Sequence, residues 1–159
     1  HACWSQPDID LIAARRPDGR LRPEDLPEIA NESTRFGKAV KTLTSGPEVS
    51  LPEGFAFSDF GGHPRTEMRV AWWRSAATTW REAALSVPDP LALPETALPS
   101  GILSEIYPAD AAPVLVGHYK MTGEPLVEGS AACLDYPGVP LTYRWQGESQ
   151  LTRDNLVLL

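Results

Sequence analysis

The residue of greatest chemical interest is His118, which follows a run of apolar β-formers in the segment PVLVGHYKMTGEP, residues 113–125. The pattern predicts a buried strand that ends at Gly117 and places the imidazole just beyond the carboxyl end of a sheet, where α/β proteins tend to build their sites. Neutral imidazole is a strong ligand for zinc, iron and manganese-type ions. His118 is therefore a candidate metal ligand, although a lone histidine at a strand end is more often a hydrogen-bonded structural residue.

A second candidate group is the pair Arg65 and Arg69, in the segment HPRTEMRVAWW. A guanidinium can donate two hydrogen bonds to one phosphate, so both residues are candidate contacts for the phosphate of a substrate. The alternative is an ion-paired surface arginine, for which Glu67 lies nearby in the sequence. His63, in the preceding Gly-Gly-His turn, is predicted to be an exposed turn residue.

Four blocks of the sequence carry a resemblance to a known family, and they follow the order in which that family has them. The blocks are the opening HACW, KTLTSGPEVSLPEGFAFSDFGGHPRTEMRVAWW, PVLVGHYKMTGEP and AACLDYPGVPLTYRWQGE. On these blocks, the chain resembles the C-terminal half of a bacterial branch of the calcineurin-like metallophosphoesterases. That branch is similar to phosphoprotein phosphatases and to the hydrolases of symmetrical diadenosine tetraphosphate. The resemblance covers nearly all of the 159 residues.

The resemblance implies a phosphoesterase with an αββα sandwich fold and two divalent metal ions, drawn from Mn, Fe, Zn and Ni. In that family, the histidine that opens a block such as HACW and the histidine of a Gly-His block bind the same metal. Carried over to this chain, these are His1 and His118. Two such ions activate a bridging hydroxide and hold a phosphoryl group for attack. The implied substrates are phosphoproteins, phosphomonoesters or dinucleoside polyphosphates.

The resemblance also identifies blocks that the chain lacks. The family's earlier blocks, of the forms Asp-x-His, Gly-Asp-x-x-Asp and Gly-Asn-His, have no counterpart between His1 and Leu159. In the family they supply the other metal's ligands, the bridging aspartate and the histidine that protonates the leaving group. We therefore expect the N-terminal half of the same domain to be a partner, and the fragment alone to be inactive, with no catalytic residue of its own. Lys120, where many relatives have a second histidine, favours the phosphoprotein phosphatase branch.

Two alternatives stay open. A processed N-terminal histidine can bind copper through its amino group and its imidazole, so His1, His118 and Tyr119 have the residue types of a copper histidine-brace oxidase or monooxygenase. In a secreted form of that kind, Cys3 and Cys133 would be available for a disulfide. This alternative leaves the blocks GPEVSLPEG and YRWQGE unexplained. The second alternative is a non-catalytic half-domain with a binding role.

The elements that position these residues are predicted to be N-terminal helices and a mainly C-terminal sheet, which is an α/β class fold. Helices are expected near residues 8–16 and around Phe36, Val40 and Leu43. A longer helix is expected where five residues share one helical face, namely Trp73, Ala76, Ala77, Trp80 and Ala84. A hairpin or a site loop is expected around Gly61-Gly62. Four strands are predicted as neighbours in one sheet, over residues 113–118, 131–136, 141–145 and 156–159.

Composition limits the remaining function classes. The length of 159 residues fits a single domain, and no internal boundary is predicted. The net charge of −7 argues against a nucleic-acid duplex or an anionic membrane as a partner, because both repel an acidic protein. No apolar run reaches the length needed to cross a bilayer. Two cysteines are too few for a disulfide framework, so reduced thiols in a cytoplasmic protein are expected.

Overall fold

The fold is taken from a computed structural model, which describes residues 3–74, 76–100, 102, 107–108 and 110–159. By its backbone contacts, the chain divides into two units, His1–Pro47 and Glu48–Leu159. His1 lies outside the described residues, so the structure does not test its predicted role.

The first unit is helical, as the sequence predicts. Helix α1 spans Gln6–Arg15, helix α2 spans Leu26–Ala30 and helix α3 spans Arg35–Ser45, with a 3-10 turn at Pro23–Asp25. Helix α1 confirms the helix expected near residues 8–16. Helix α3 confirms the one expected from the spacing of its apolar residues.

Helix α3 illustrates how local side chains set these elements. The hydroxyl of Thr34 accepts a hydrogen bond from the Gly37 amide at 3.1 Å, so it satisfies one of the free donors at the start of the helix. Phe36 and Val40 lie on its buried face. A Cβ atom at position 37 would lie 2.3 Å from the carbonyl oxygen of Glu28, so only glycine lets α2 and α3 approach this closely.

The second unit begins with two small antiparallel sheets. Strand β1 spans Glu48–Ser50, β2 spans Phe57–Ser58, β3 spans Pro64–Arg65, β4 spans Glu67–Val70 and β5 spans Ala84–Leu85. The three-stranded sheet has the order β1-β4-β5, and β2 pairs with β3 as a hairpin. This hairpin is the one predicted around Gly61-Gly62, where Gly62 has a φ of 80°.

The long helix predicted over the tryptophan-rich segment is wrong. The described residues form only helix α4, Trp80–Ala83, which passes directly into β5. The carboxylate of Glu82 accepts hydrogen bonds from the amides of Thr78 and Thr79 at 2.8 and 3.1 Å, and the Thr79 hydroxyl accepts one from the Glu82 amide. This capping box begins the helix at Trp80. Trp73 lies buried in the turn after β4 instead.

The predicted C-terminal strands exist but do not share one sheet, which corrects the prediction. Strand β6 spans Val114–Val116, β7 spans Val127–Glu128, β8 spans Ala131–Cys133, β9 spans Leu141–Tyr143 and β10 spans Leu156–Leu158. In the described chain, β6, β8 and β7 form one sheet in that order, and β9 and β10 form a separate antiparallel pair. A tight turn bridging Tyr136 and Val139 separates β8 from β9.

Side-chain packing joins the C-terminal strands where backbone pairing does not. Ala132 of β8 and Tyr143 of β9 belong to one buried cluster with Leu151. A larger cluster around Met68, Val70 and other apolar residues lies under the sheet β1-β4-β5. Helices and several small sheets together place the chain in the predicted α/β class.

Among the residues that the structure describes, no helix has both the length and the apolar composition needed to cross a bilayer.

Candidate functional site

The candidate site is the loop that follows β6, residues 117–121, which is called the His118 loop below. Strands β6 and β8 are parallel, with Val114 opposite Ala131 and Val116 opposite Cys133. Because the two strands run in the same direction, their carboxyl ends meet at one edge of the sheet. The predicted position of His118, just beyond the end of a strand, is therefore confirmed, but the strand is only partly buried, because Leu115 is exposed.

The backbone of the His118 loop is held in an uncommon conformation. His118 has a φ of 69° and Lys120 a φ of 50°, both in the left-handed region that non-glycine residues rarely adopt. Gly117 does not take the left-handed conformation here, and no neighbour lies within 4 Å of where its Cβ would stand. Gly117 thus leaves open space at the strand end, while the conformational cost falls on the histidine that follows it.

Tyr119 anchors the loop between these two strained residues. Its side chain is fully buried and lies against Trp72 and Trp73. The indole Nε1 of Trp72 is 3.4 Å from the Tyr119 hydroxyl, and the Ser86 hydroxyl donates to the Tyr119 carbonyl at 2.8 Å. His118 is exposed, so burial of its neighbour fixes the loop while leaving the imidazole at the surface.

Asp135, just beyond the end of β8, supports the same loop. Its carboxylate accepts a hydrogen bond from the Lys120 amide at 3.2 Å, and its carbonyl accepts one from the Met121 amide at 2.8 Å. Asp135 therefore holds by hydrogen bonds the same loop that Tyr119 anchors. The hydrogen bonds give both of them a supporting role.

The described residues do not form a complete metal site by themselves. Among them, no group of three or more histidine, cysteine, aspartate or glutamate residues is placed to hold a metal ion. His118 is the predicted metal ligand that lies among the described residues. His1, the other predicted ligand, is outside that part of the chain.

Arg65 lies on the β2–β3 hairpin and forms an ion pair with Asp59. Its Nε and a terminal nitrogen donate to one carboxylate oxygen of Asp59 at 2.9 and 2.8 Å. Backbone hydrogen bonding from His63 and the guanidinium of Arg65 hold the pKa of Asp59 well below its ordinary value. The ion pair is thus with Asp59, not with Glu67, and a phosphate role for Arg65 stays a prediction.

Arg69 lies on β4, directly across from Glu48 on β1. Its Nε is 3.1 Å from a carboxylate oxygen of Glu48, which is an ion-pair distance. The same Nε is buried and has no aligned hydrogen-bond acceptor. The pair is therefore held by charge more than by a hydrogen bond, and contact of Arg69 with a phosphate also stays a prediction.

The other residues singled out from sequence fall mainly in structural positions. His63 is exposed at the hairpin turn, as predicted, with its Nδ1 3.4 Å from a carboxylate oxygen of Asp59. Trp72, Trp73 and Trp80 are all buried in the core. Cys3 and Cys133 are free, buried thiols. Burial, together with the charge of Asp8, raises the pKa of Cys3 to about 12, so it is a poor nucleophile and metal ligand.

A cavity beside the His118 loop was not predicted from the sequence. It encloses about 230 Å³ and is lined by three cationic side chains, Arg74, Arg81 and Lys120, together with Ser86. Arg74 precedes α4 and Arg81 lies within it, so both come from the segment that was predicted to be one long helix. A helix would have given these side chains other directions, and the cavity was therefore missed.

Comparison of the chain with protein-family models, with curated proteins and with solved structures found no match.

Proposed function

We propose that the chain is the C-terminal part of a two-metal phosphoesterase of the calcineurin-like type, and that His118 donates one metal ligand. The observation that supports this most directly is the exposed imidazole of His118, held in a left-handed backbone at the carboxyl end of parallel strands. Strain of this kind persists where surrounding contacts enforce it, and it is concentrated at functional sites. An αββα sandwich fold for the complete domain is part of the same proposal.

The residues of this chain have a limited task in such a site. An imidazole ligand adds no negative charge, so a centre that binds it stays attractive to phosphate. Tyr119 and Asp135 hold the His118 loop in place, so the imidazole is positioned before any metal arrives. When bound, two divalent ions of the Mn, Fe, Zn or Ni type supply an activated hydroxide.

The proposed substrates are phosphate esters, namely phosphoproteins, phosphomonoesters or dinucleoside polyphosphates. The proposed partner is the N-terminal part of the same domain, with the carboxylates and histidines that complete the two-metal site. A cytoplasmic location is part of the proposal, and it is supported by the free state of both buried cysteines.

The test combines the chain with the polypeptide encoded directly upstream of His1. We expect that polypeptide to contain Gly-Asp and Gly-Asn-His blocks and, when produced together with the chain, to hydrolyse p-nitrophenyl phosphate in the presence of Mn²⁺. Replacing His118 with alanine should lower the rate by more than about a hundredfold. Loss of a residue that only hydrogen-bonds to a metal ligand commonly costs about 10 to 100-fold, and loss of the ligand itself should cost more.

The matched control is His63→Ala, which removes the exposed histidine of the hairpin turn and should leave the rate unchanged. The chain alone should bind Mn²⁺ weakly and show no turnover. The proposal fails if the isolated chain hydrolyses the substrate, or if the His118→Ala complex is as active as the wild type. A complex that forms without any turnover would instead identify a non-catalytic binding half-domain.

A further inference from the structure

The cavity beside the His118 loop has the charge and rigidity of a site for an oxyanion. Three of its lining side chains are cationic, and none of the lining residues that the structure describes is acidic. Its volume of about 230 Å³ is below the roughly 300 to 1,000 Å³ of pockets that enclose a drug-sized ligand. The cavity is therefore suited to one charged group of a larger molecule.

The two arginines are fixed in place before any ligand binds. Arg74 donates to the carboxylate of Glu128 at 2.6 Å and to the carbonyl of Glu82 at 3.0 Å. Arg81 donates to the carbonyls of Leu91 and Leu93, each at 3.1 Å, and also pairs with Glu95. Glu128 and Glu95 offset part of the charge of the two arginines, whereas the backbone carbonyls only orient them, and each guanidinium has further N–H donors.

Lys120 adds a positive charge that no carboxylate of the described residues neutralises. Its ammonium lies 5.3 Å from the centre of the Phe60 ring, a cation–π contact that leaves donors for an anion. The lysine belongs to the His118 loop, so its charge and the imidazole are separated by a single residue, Tyr119.

Backbone strain is concentrated around the same cavity. Four non-glycine residues of the described chain have a positive φ: Glu32, Ser86, His118 and Lys120. Ser86 and Lys120 line the cavity, and His118 is two positions before Lys120 in the sequence. The hydrogen bond from the Ser86 hydroxyl to the Tyr119 carbonyl joins the two strained segments. A concentration of strain at one place points to a site whose geometry is enforced.

We infer that the cavity lined by Arg74, Arg81 and Lys120 binds the phosphoryl group of a ligand through charge-assisted hydrogen bonds. The inference deepens the proposed function. It rests on that function only for the identification of the ligand as a substrate. The same chemistry is offered by a phosphorylated peptide and by a nucleoside polyphosphate. Binding at this cavity requires no metal ion.

The test is a titration of the ¹⁵N-labelled chain with inorganic phosphate in the presence of EDTA, followed by NMR. We expect the backbone signals of Ser86 and Lys120 and the side-chain Nε signals of Arg74 and Arg81 to shift together. Lys120→Met, which keeps most of the side-chain length, should weaken binding about tenfold. Lys120→Arg should retain it. Competition by a phosphoserine peptide and by ADP then distinguishes the two sources of the phosphoryl group.

Lys38→Met is the matched control, since it removes an equal charge from an exposed position on α3. It should bind phosphate as the wild type does. The inference is overturned if phosphate shifts none of these signals, if both lysine variants weaken binding equally, or if neither competitor displaces phosphate. The absence of metal separates this result from the turnover assay, so failure of one experiment does not imply failure of the other.

Discussion

His118 and Lys120 adopt backbone angles that glycine accepts easily, yet neither position has a glycine. A left-handed conformation costs an ordinary residue about 1 to 2 kcal/mol. This conformational cost is offset by the burial of Tyr119 and by the hydrogen bonds from the loop to Asp135. If stability alone determined the sequence, glycine would serve better at position 118. The histidine is therefore best explained by what its imidazole does.

This argument predicts an unusual order of stability at position 118. His118→Gly should be more stable than His118→Ala by about 1 kcal/mol, because both variants lack the imidazole and only alanine is strained at positive φ. Urea unfolding of both variants, followed by circular dichroism, measures the difference. The control is position 67 on β4, where the backbone is extended and exposed, and where alanine should exceed glycine by about 0.5 to 1 kcal/mol. Equal stabilities of the two position-118 variants would remove the strain argument.

Only those features of the site that depend on residues adjacent in the sequence were predictable. His118 could be placed at a strand end because the apolar run and Gly117 are adjacent to it in the chain. The cavity depends on the contact of Ser86 with Tyr119, which are 33 positions apart, and on the directions of Arg74 and Arg81. No periodic pattern encodes such a contact. The cationic group was therefore found only in the structure.

At the scale of elements, helix α3 was predictable and the tryptophan-rich helix was not. The apolar spacing of α3 agrees with its threonine cap, so local and tertiary preferences coincide. In the tryptophan-rich segment, the apolar residues also have helical spacing, but residues 84–85 pair with β4 as a strand. Trp73 is buried in a turn and Trp80 in the short helix, whereas Ala76 of the predicted face is exposed. The periodicity therefore identified the two buried tryptophans but predicted the wrong backbone structure for the segment.

The capping box of α4 provides a test of this explanation. Thr79→Ala should destabilise the chain by about 1 kcal/mol, because it removes the hydroxyl that accepts the Glu82 amide at the helix start. Thr152→Ala is the matched control. Thr152 occupies the corresponding position before the 3-10 turn Arg153–Asn155, but its side chain makes no capping hydrogen bond. Urea unfolding of both variants gives the comparison, and an equal loss in both would show that the Thr79 cap does not begin the helix.

The C-terminal strands give a similar lesson about topology. Strand-like apolar runs identified four of the five C-terminal strands, since a strand is a local feature, but β7 was not predicted. Which strands pair is decided by longer contacts, such as the parallel pairing of Val116 with Cys133 across residues 117–132. The hairpin of β9 and β10 is closed by the hydrogen bonds that Glu148 accepts from Tyr143 and Asn155. Four of these strands were therefore predictable, while β7 and the division into two sheets were not.

At the scale of the whole molecule, each unit contains a carboxylate that folding keeps ionised. In the first unit, hydrogen bonding to Arg16 is the main cause that lowers the pKa of Asp25 to about 2. In the second, hydrogen bonding from Tyr143 is the main cause that lowers the pKa of Glu148 to about 2. Since protonation removes these interactions, the folded chain is expected to lose stability in acid.

Asp25 allows the sign of this effect to be tested. Its side chain is fully buried and accepts hydrogen bonds from Arg16 at 2.9 and 2.7 Å, from Arg15 at 2.9 Å and from the Arg22 amide at 2.9 Å. Because its pKa is lower in the folded state than in the unfolded state, its contribution is complete above the unfolded value of 3.8. The contribution decreases as the pH falls from there toward about 2.

Asp25→Asn should therefore lower the urea midpoint near about pH 7 and reduce the further loss of stability between about pH 4 and about pH 2. The reason is that the variant lacks the charge whose protonation causes part of that loss, while Arg15 and Arg16 lose their shared buried counterion and keep Glu28 and Glu24 as charged partners. Urea titrations of the wild type and the variant at several pH values measure both effects. Glu53→Gln, at an exposed turn position, is the control and should follow the wild type at every pH. A variant whose stability falls with acid as steeply as that of the wild type would show that Asp25 is not among the groups that link folding to pH.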